Sequence, residues 1–218
     1  MSDQTQQMQV WSGDFGREYT DRNTLTLDEL DALYQREFGQ TRRAMNEEFL
    51  GHLPRDIRIL EVGANLGSQL LLLQSMGFSH LYGIELQSYA VELSKQRTQG
   101  INLIQGSAFD IPFKDGFFDL VFTSGVLIHL SPKDIQSALD EIHRCTSRYI
   151  WGMEYFSERY EQVNYRGKED LLWKADFGKL YRDRFSDLRA VNQRRFRRII
   201  NETEDVMFLL ERSAPGRP

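Results

Sequence analysis

The chain of 218 residues has a single cysteine, Cys145, and only five prolines. One cysteine excludes an intramolecular disulfide and a thiolate cluster for metal, and it fits a reducing cytoplasm. We interpret Cys145 as a small apolar core residue. The first residues, MSDQTQQMQV, have neither a basic flank nor an apolar core, so we expect no secretory signal. The length is that of one domain with a small extension. We expect the protein to lie in the cytoplasm, in line with its cysteine usage.

The chain also lacks an excess of basic residues. It has 27 Lys and Arg against 32 Asp and Glu, for a net charge of −5. This balance argues against a general nucleic-acid or anionic-membrane coat. One local exception is the segment Lys179–Arg198, with eight bases against two acids. We interpret it as a charged edge strand that blocks sheet-to-sheet aggregation. An RNA-binding or RNA-modifying protein is the alternative.

Long apolar runs are missing too. The 23 residues of Val62–Ile84 contain no Asp, Glu, Lys or Arg, which is long enough to span a bilayer. The stretch nevertheless includes four glycines and several polar residues, so it reads as a turn, a helix, a second turn and a strand. We therefore expect no membrane association.

The middle of the chain alternates strand and helix patterns, which predicts an α/β fold with a parallel sheet. The predicted strands are Ile57–Val62, Leu81–Glu85, Asn102–Gln105, Phe118–Phe122 and Tyr149–Met153. The predicted helices run through Leu70–Met76, from an N-cap at Ser88 through Arg97, and from Ser131-Pro132 with Ile135, Ala138, Leu139 and Ile142 on one face. An antiparallel hairpin is predicted from Leu188–Ile200, a turn at Asn201–Asp205, and Val206–Leu210, before a frayed end at Ser213–Pro218.

Four regions follow from these patterns. Residues 1–50 form an N-terminal lid, mostly helical over Trp11–Leu50, and residues 51–154 form the core. Residues 155–187 form a substrate-side insertion, aromatic-rich over Tyr155–Tyr181, and residues 188–218 form the hairpin that completes the sheet. Loops and caps on an open sheet carry substrate specificity, which assigns that role to the lid and the insertion.

The clearest motif is Glu61–Gly67, where the first predicted strand meets its helix. Gly63 and Gly67 permit a tight turn and close approach of a ligand to the backbone. The dinucleotide fingerprint needs glycines where this chain has Asn65 and Ser68, so a nicotinamide oxidoreductase is disfavoured. The turn instead suits a nucleoside without phosphates.

Three further motifs follow the next strands. Glu85 ends the second strand, 18 residues after Gly67, where a carboxylate can accept hydrogen bonds from ribose hydroxyls. Gln105–Phe113 leaves the third strand, and Phe118–Leu130 contains and leaves the fourth. All four motifs lie at carboxyl ends of strands, where open α/β sheets bind ligands.

Over Ile57–Met153 the set resembles the class I S-adenosylmethionine-dependent methyltransferases. The resemblance implies a doubly wound, seven-stranded, mostly parallel sheet whose last strand is antiparallel, with S-adenosylmethionine as cofactor. It implies Gly63, Ala64 and Gly67 against the methionine part, Glu61 near the ammonium group, Glu85 on the ribose and Leu86 on the adenine. It also implies Ser107 and Ala108 at the adenine edge and Phe109 beside it. We include Asn65, Thr123 and Gly125 in the cofactor site. Ser107 stands where the family has an acid, and Asp110 is the alternative for that contact.

The flanking segments resemble a narrower group, the methylases associated with pseudaminic acid biosynthesis. The segments that carry this resemblance are Trp11–Tyr19, Arg22-Asn23, Gly125–His129, Glu154–Phe156, Tyr165–Gly167 and Leu172–Gly178. It implies methylation of an oxygen or nitrogen on a small, polar, acidic metabolite such as a nonulosonic sugar. Carboxyl O-methylation of a small acid is the alternative within this class, and it needs no base.

Candidate catalytic and substrate residues lie at strand ends and in the lids. His129 is the candidate general base, with a structural histidine as the alternative, and Tyr155 faces the same region in our interpretation. Tyr19 and Arg22 are candidates to close over the cofactor carboxylate, since arginine pairs with it bidentately. The candidate substrate-binding residues are Tyr165, Arg166, Trp173 and Lys174. The sequence offers no clear carboxylate set for Mg²⁺, so we expect no metal.

Overall fold

The computed structural model describes residues 5–201 and 203–213. Residues 1–4, Glu202 of the predicted turn and most of the predicted frayed end, 214–218, lie outside the described residues. The helices are α1 (Gln6–Ser12), α2 (Asp14–Arg22), α3 (Leu27–Phe38), α4 (Arg42–Leu50), α5 (Ser68–Ser75), α6 (Ser88–Arg97), α7 (Ile135–Cys145) and α8 (Phe177–Arg184). The strands are β1 (Arg58–Val62), β2 (His80–Glu85), β3 (Ile101–Gln105), β4 (Phe118–Ser124), β5 (Thr146–Tyr155), β6 (Glu161–Gln162), β7 (Trp173–Lys174), β8 (Leu188–Arg197) and β9 (Glu204–Arg212).

Seven strands form one sheet in the order β3-β2-β1-β4-β5-β9-β8. The first five strands in this order run parallel to one another, and β9 pairs antiparallel with both β5 and β8. This confirms the predicted doubly wound α/β sheet with its last strand antiparallel. A separate two-stranded sheet of β6 and β7, which the sequence analysis did not predict, lies in the insertion.

The sheet buries both of its faces under helices. Strand β4, predicted as a central buried strand, has Phe118, Leu120 and Phe122 fully buried. On one side lies the predicted apolar face of α7, whose Ile135, Ala138, Leu139 and Ile142 are all buried, together with Cys145. On the other side pack residues of α4 and α5, such as Phe49 and Leu70. Burial on both faces explains why β4 reads as an almost continuous apolar run.

Two predicted helix starts were wrong in detail. Helix α6 begins at Ser88, but its N-cap is Gln87, whose side chain accepts a hydrogen bond from the Tyr89 N–H. Helix α7 begins at Ile135, because Ser131 and Pro132 form a turn before it. In that turn the Ser131 carbonyl accepts from the Asp134 and Ile135 N–H groups, so Ser131 starts a turn rather than the helix.

The region predicted to be helical before the sheet contains four helices, α1 to α4. Three of them have threonine N-caps, because Thr5, Thr26 and Thr41 accept hydrogen bonds from N–H groups of the first turn. Gly39, with φ at +75°, ends α3 in the left-handed conformation. Within the described part of the chain, no helix has the length and apolar character needed to cross a bilayer.

We predict that Thr41→Ala lowers the free energy of unfolding by about 1 kcal/mol, because the Ala44 N–H loses its capping acceptor at the start of α4. Urea denaturation measures the change. Thr24→Ala, in the exposed segment before α3, is the matched control and should change the stability by less than about 0.5 kcal/mol. Equal effects of the two substitutions would contradict the capping role.

Candidate functional site

A cavity of about 320 Å³ opens at the carboxyl ends of the parallel strands. Its floor is made by the segments that leave β1, β2, β3 and β4, the four predicted motifs. Its roof is made by α1, α2 and α3 and the segments joining them, through residues such as Trp11, Tyr19 and Tyr34. The topology therefore brings all four motifs to one site, under helices from the start of the chain.

The turn after β1 needs glycine for two reasons. Gly63 has φ at +75°, and a Cβ there would lie 2.6 Å from Val126 Cγ2. The N–H groups of Gly63 and Ala64 both donate to the Ile84 carbonyl, which ties the turn to β2. The turn is thus held against the segment after β4, with its backbone exposed to the cavity.

Glu61 is a buried carboxylate at the floor of the cavity, only 3% exposed. Burial raises its pKa well above the ordinary value, and the positive charge of Arg42 opposes that rise. Among the described residues, Glu61 Oε2 has no hydrogen-bond partner, and the same holds for Asn65 Oδ1 and Gln69 Oε1. A buried acceptor without a partner is costly, so these oxygens point to a ligand that donates hydrogen bonds.

Glu85 holds two of the cavity segments together. Its Oε2 accepts from the Asn65 N–H at 2.9 Å, and its Oε1 accepts from the Gln87 N–H at 2.8 Å. Burial raises the pKa of Glu85, and these backbone hydrogen bonds oppose the rise. A carboxylate oxygen has more than one acceptor site, so Glu85 retains capacity for a ligand's hydroxyl groups.

His129 is a neutral, half-buried histidine in the cavity wall. Its Nδ1 lies 2.6 Å from the Leu171 carbonyl oxygen, and because a carbonyl only accepts, Nδ1 carries the proton. Nε2 therefore has the free lone pair. Burial lowers the pKa of His129 to about 4. The ring lies 4.4 Å from the Trp11 ring, between centroids, and 5.5 Å from Tyr165.

Glu154 positions the segment that carries His129. This buried carboxylate accepts from the Val126 N–H at 3.2 Å and from the Ile128 N–H at 3.4 Å. Burial raises the pKa of Glu154 to about 7, although hydrogen bonds from Thr123 and from the backbone N–H groups of this segment act to lower it. No role was predicted for Glu154 from the sequence. Its position as an acid at the end of an otherwise apolar strand was the feature that indicated a special role.

Twelve of the predicted site residues line the cavity. They are Tyr19, Glu61, Gly63, Ala64, Asn65, Glu85, Leu86, Ser107, Ala108, Phe109, Gly125 and His129. Ser107 Oγ accepts from the Phe109 N–H at 3.2 Å. Asp110, the alternative to Ser107 for the adenine contact, is exposed and is not part of the cavity wall.

Four predicted cofactor or catalytic residues lie outside the cavity wall. Arg22 pairs with Glu18, one turn earlier on the exposed side of α2. Gly67 caps α5, with φ at +74°. Thr123 is buried and hydrogen-bonds to Glu154. Tyr155 lies with its ring 5.0 Å from the Arg198 guanidinium, and burial raises its pKa to about 12.

The four predicted substrate-binding residues are not brought together at the cavity. Tyr165 comes nearest, through its contact with His129. Arg166 is exposed, 5.9 Å from the Tyr165 ring, because its backbone forms a turn with φ at +54°. Trp173 is buried in β7, where it packs as core, and its neighbour Lys174 is partly exposed. None of the four lines the described cavity.

Sequence reasoning missed the cavity residues of α1 and α3. Trp11 covers His129, and Leu30, Leu33 and Tyr34 form one wall. Their i, i+3, i+4 spacing on α3 was a usable signal for a buried face. Gln87 was missed as well: its amide donates to the carbonyls of Ser12 and Gly13, both at 3.0 Å, and so fastens the α1–α2 connection to the floor.

The basic segment Lys179–Arg198 is largely neutralised by carboxylates. Ion pairs with described residues hold at least six of its bases: Lys179–Asp183, Arg184–Asp140, Arg189–Glu211, Arg194–Glu48, Arg195 with Glu158 and Glu204, and Arg198 with Glu37 and Asp205. Its strand, β8, is the sheet edge, as predicted.

We predict that His129 makes the protein less stable as the pH falls from about 6.5 to about 4. The unfolded chain binds a proton on His129 in this window and the folded chain does not, so the free energy of unfolding drops, by about 3 kcal/mol at most. His129→Gln should flatten this pH dependence in urea denaturation. His80→Gln, at an exposed position, is the control, and identical pH profiles for wild type and His129→Gln would refute the prediction.

Residues 60–148 match the family described as methyltransferase domain. An uncharacterized methyltransferase of Synechocystis sp. is 30% identical over 87 residues, 40% of this chain and 41% of that protein. Phosphoethanolamine N-methyltransferase of Plasmodium falciparum is 29% identical over 82 residues, 36% of this chain and 31% of that protein. The chain spans between 31% and 60% of the length of the curated relatives it matches.

Among solved structures, the 1,6-didemethyltoxoflavin-N1-methyltransferase of Burkholderia thailandensis matches with a TM-score of 0.72 at 15% identity. The match covers 98% of this chain and 92% of that one, and at this identity it concerns the fold. The family match, the seven-stranded sheet and the cavity at its carboxyl edge agree. Residues 60–148 thus resemble a methyltransferase domain, and the chain as a whole shares its fold with this solved structure.

Proposed function

We propose that the protein transfers a methyl group from S-adenosylmethionine to a small-molecule acceptor. The observation that carries the proposal is the buried carboxylate of Glu61, whose Oε2 lacks a partner among the described residues beside the open glycine turn at Gly63. An ammonium group on an elongated nucleoside would satisfy that oxygen, and a turn without a Cβ would admit it closely.

The other cavity residues fit the remaining parts of this cofactor in sheet order. Glu61 at β1 would meet the amino-acid part, and Glu85 at β2 would accept from the ribose hydroxyls. Leu86 and Ala108 would flank the adenine, with Ser107 at its edge. Asp110 is exposed, so in our proposal Ser107 takes the adenine contact.

When bound, S-adenosylmethionine supplies an electrophilic methyl group on a positively charged sulfur. The residues of this chain would orient the acceptor and exclude water beneath α1, α2 and α3. His129 offers the lone pair of Nε2 to the acceptor's proton, and its low pKa keeps that nitrogen free of a proton at neutral pH. Glu154 holds the His129 segment by its backbone N–H groups.

Two observations favour a small molecule over RNA as acceptor. The basic segment has most of its charge neutralised by neighbouring carboxylates. The cavity is roofed by three helices, which leaves room for a compact ligand. One curated relative is named for phosphoethanolamine as acceptor, and one protein of similar fold is named for 1,6-didemethyltoxoflavin. The nonulosonic sugar, and the roles of residues 1–50 as lid and 155–187 as substrate-side insertion, stay predictions from the sequence.

We predict that S-adenosylhomocysteine binds the wild-type protein and that Glu85→Ala weakens this binding by about tenfold or more, because the ribose loses its acceptor. Isothermal titration calorimetry measures both affinities. Glu85→Gln, which keeps one acceptor oxygen, should lie between them. Glu92→Ala, on the exposed side of α6, is the matched control and should bind like wild type. Absence of binding by the wild type would refute the proposed function.

We predict that His129→Gln lowers the methylation rate of a hydroxyl or amine acceptor by about a hundredfold, because a general base is lost. Affinity for S-adenosylhomocysteine should stay within about twofold, since His129 is assigned to the acceptor side. The assay follows release of S-adenosylhomocysteine with a panel of hydroxylated, amine and carboxylic acceptors. An unchanged rate would show that the accepted substrate needs no base, as a carboxylate does not.

A further inference from the structure

Arg42, at the start of α4, is a fully buried cation to which no role was assigned from the sequence. Its Nε donates to Asn46 Oδ1 at 2.9 Å, its Nη1 to the Tyr34 hydroxyl at 2.8 Å, and its Nη2 to Ser124 Oγ at 3.2 Å. In the described part of the chain, no carboxylate lies within ion-pair distance of the guanidinium. A buried charge without an ion-pair partner is unusual and costly.

The two carboxylates whose pKa values Arg42 lowers already have other roles. Asp205, whose pKa Arg42 lowers, accepts two hydrogen bonds from Arg198. Glu61, whose pKa Arg42 also lowers, is the carboxylate that the proposed function assigns to the cofactor's ammonium group. With the cofactor in place, the positive charge of Arg42 would be without a compensating carboxylate.

Two hydroxyl groups connect Arg42 to the cavity. Tyr34 and Ser124 both line it, and both use an oxygen lone pair to accept from the guanidinium. Their own O–H protons are then free to donate into the cavity. Two hydroxyl groups that both accept from one buried cation form an anion-binding site, because the cation polarises each O–H group and makes it a stronger donor.

The position of this pair in the sheet indicates which ligand it serves. In the proposed function the cofactor extends from the segment after β3, through β2, to β1. Ser124 ends β4, the next strand in the sheet, and Arg42 also contacts Met153 near the end of β5. The site therefore lies on the acceptor side. Beside Tyr34, the α3 residues Leu30 and Leu33 give that side an apolar wall.

We propose that the acceptor is a small acid with an apolar body, whose carboxylate accepts hydrogen bonds from the Tyr34 and Ser124 hydroxyls in front of Arg42. The inference rests on the proposed function and adds the substrate class. It assigns recognition of the acid to two hydroxyl groups of the cavity wall with the Arg42 guanidinium buried behind them, and not to Arg166, which is exposed. The alternative occupant of this site is the carboxylate group of the cofactor itself.

The test uses ligand-observed NMR on the full chain saturated with S-adenosylhomocysteine. The probes are small aromatic and aliphatic carboxylates, each paired with its primary amide, which has a similar shape and no charge. Wild type should bind its best acids about tenfold or more tighter than their amides. Tyr34→Phe and Ser124→Ala should each remove most of this preference. Tyr89→Phe, whose hydroxyl bonds Asp21 on the surface, should keep it.

Parallel titrations with S-adenosylhomocysteine and its decarboxylated analogue separate the two carboxylate sources. If the site binds the acceptor, the Tyr34→Phe and Ser124→Ala variants should bind both nucleosides with affinities within about twofold of those of the wild type. Loss of affinity for S-adenosylhomocysteine alone would assign the site to the cofactor and overturn the inference. Absence of any preference for acids over amides in the wild type would also overturn it. If S-adenosylhomocysteine itself fails to bind, the proposed function fails instead.

Discussion

The cavity depends on one electrostatic constraint, the burial of the Glu61 carboxylate beside the Arg42 guanidinium without direct contact. Burial alone would favour protonated Glu61, and the nearby cation opposes this. Glu61 Oε2 has no partner among the described residues, whereas Arg42 is hydrogen-bonded but has no ion-pair partner there. In the proposals above, the cofactor's ammonium group would meet Glu61, and the carboxylate of an acceptor would lie in front of Arg42.

Two further carboxylates, Glu85 and Glu154, hold the backbone around this pair in place. Glu85 binds the backbone of the segments after β1 and β2, and Glu154 binds the backbone of the segment after β4. A carboxylate that accepts hydrogen bonds from several backbone N–H groups fixes a loop in place, and no long side chain has to enter the site for this purpose. The cavity wall can therefore be rigid although it consists of strand-end segments, which are ordinarily the mobile part of a sheet.

The roof lies outside the part of the chain that the family model matches. That model covers residues 60–148, whereas Trp11, Tyr34 and Arg42 precede this range. Gln87 fastens the α1–α2 connection to the floor, and Trp11 then covers His129. In the proposed function, the residues that bind the cofactor would come from the matched domain, and much of the acceptor wall would come from the helices before it.

The amino-acid sequence by itself determined the strands, their helices and the four strand-end motifs, because alternation of apolar residues and glycine turns are local properties. Twelve predicted residues meet in one cavity for that reason. Only the tertiary structure decided which side chains complete the site. Arg42 and Glu154 read as ordinary charges in the sequence, while Arg166 and Trp173 read as ligands. The tertiary structure places Arg42 behind the cavity wall and Glu154 against the His129 segment, and it leaves Arg166 and Trp173 outside the wall, because burial and packing depend on contacts between residues far apart in the chain.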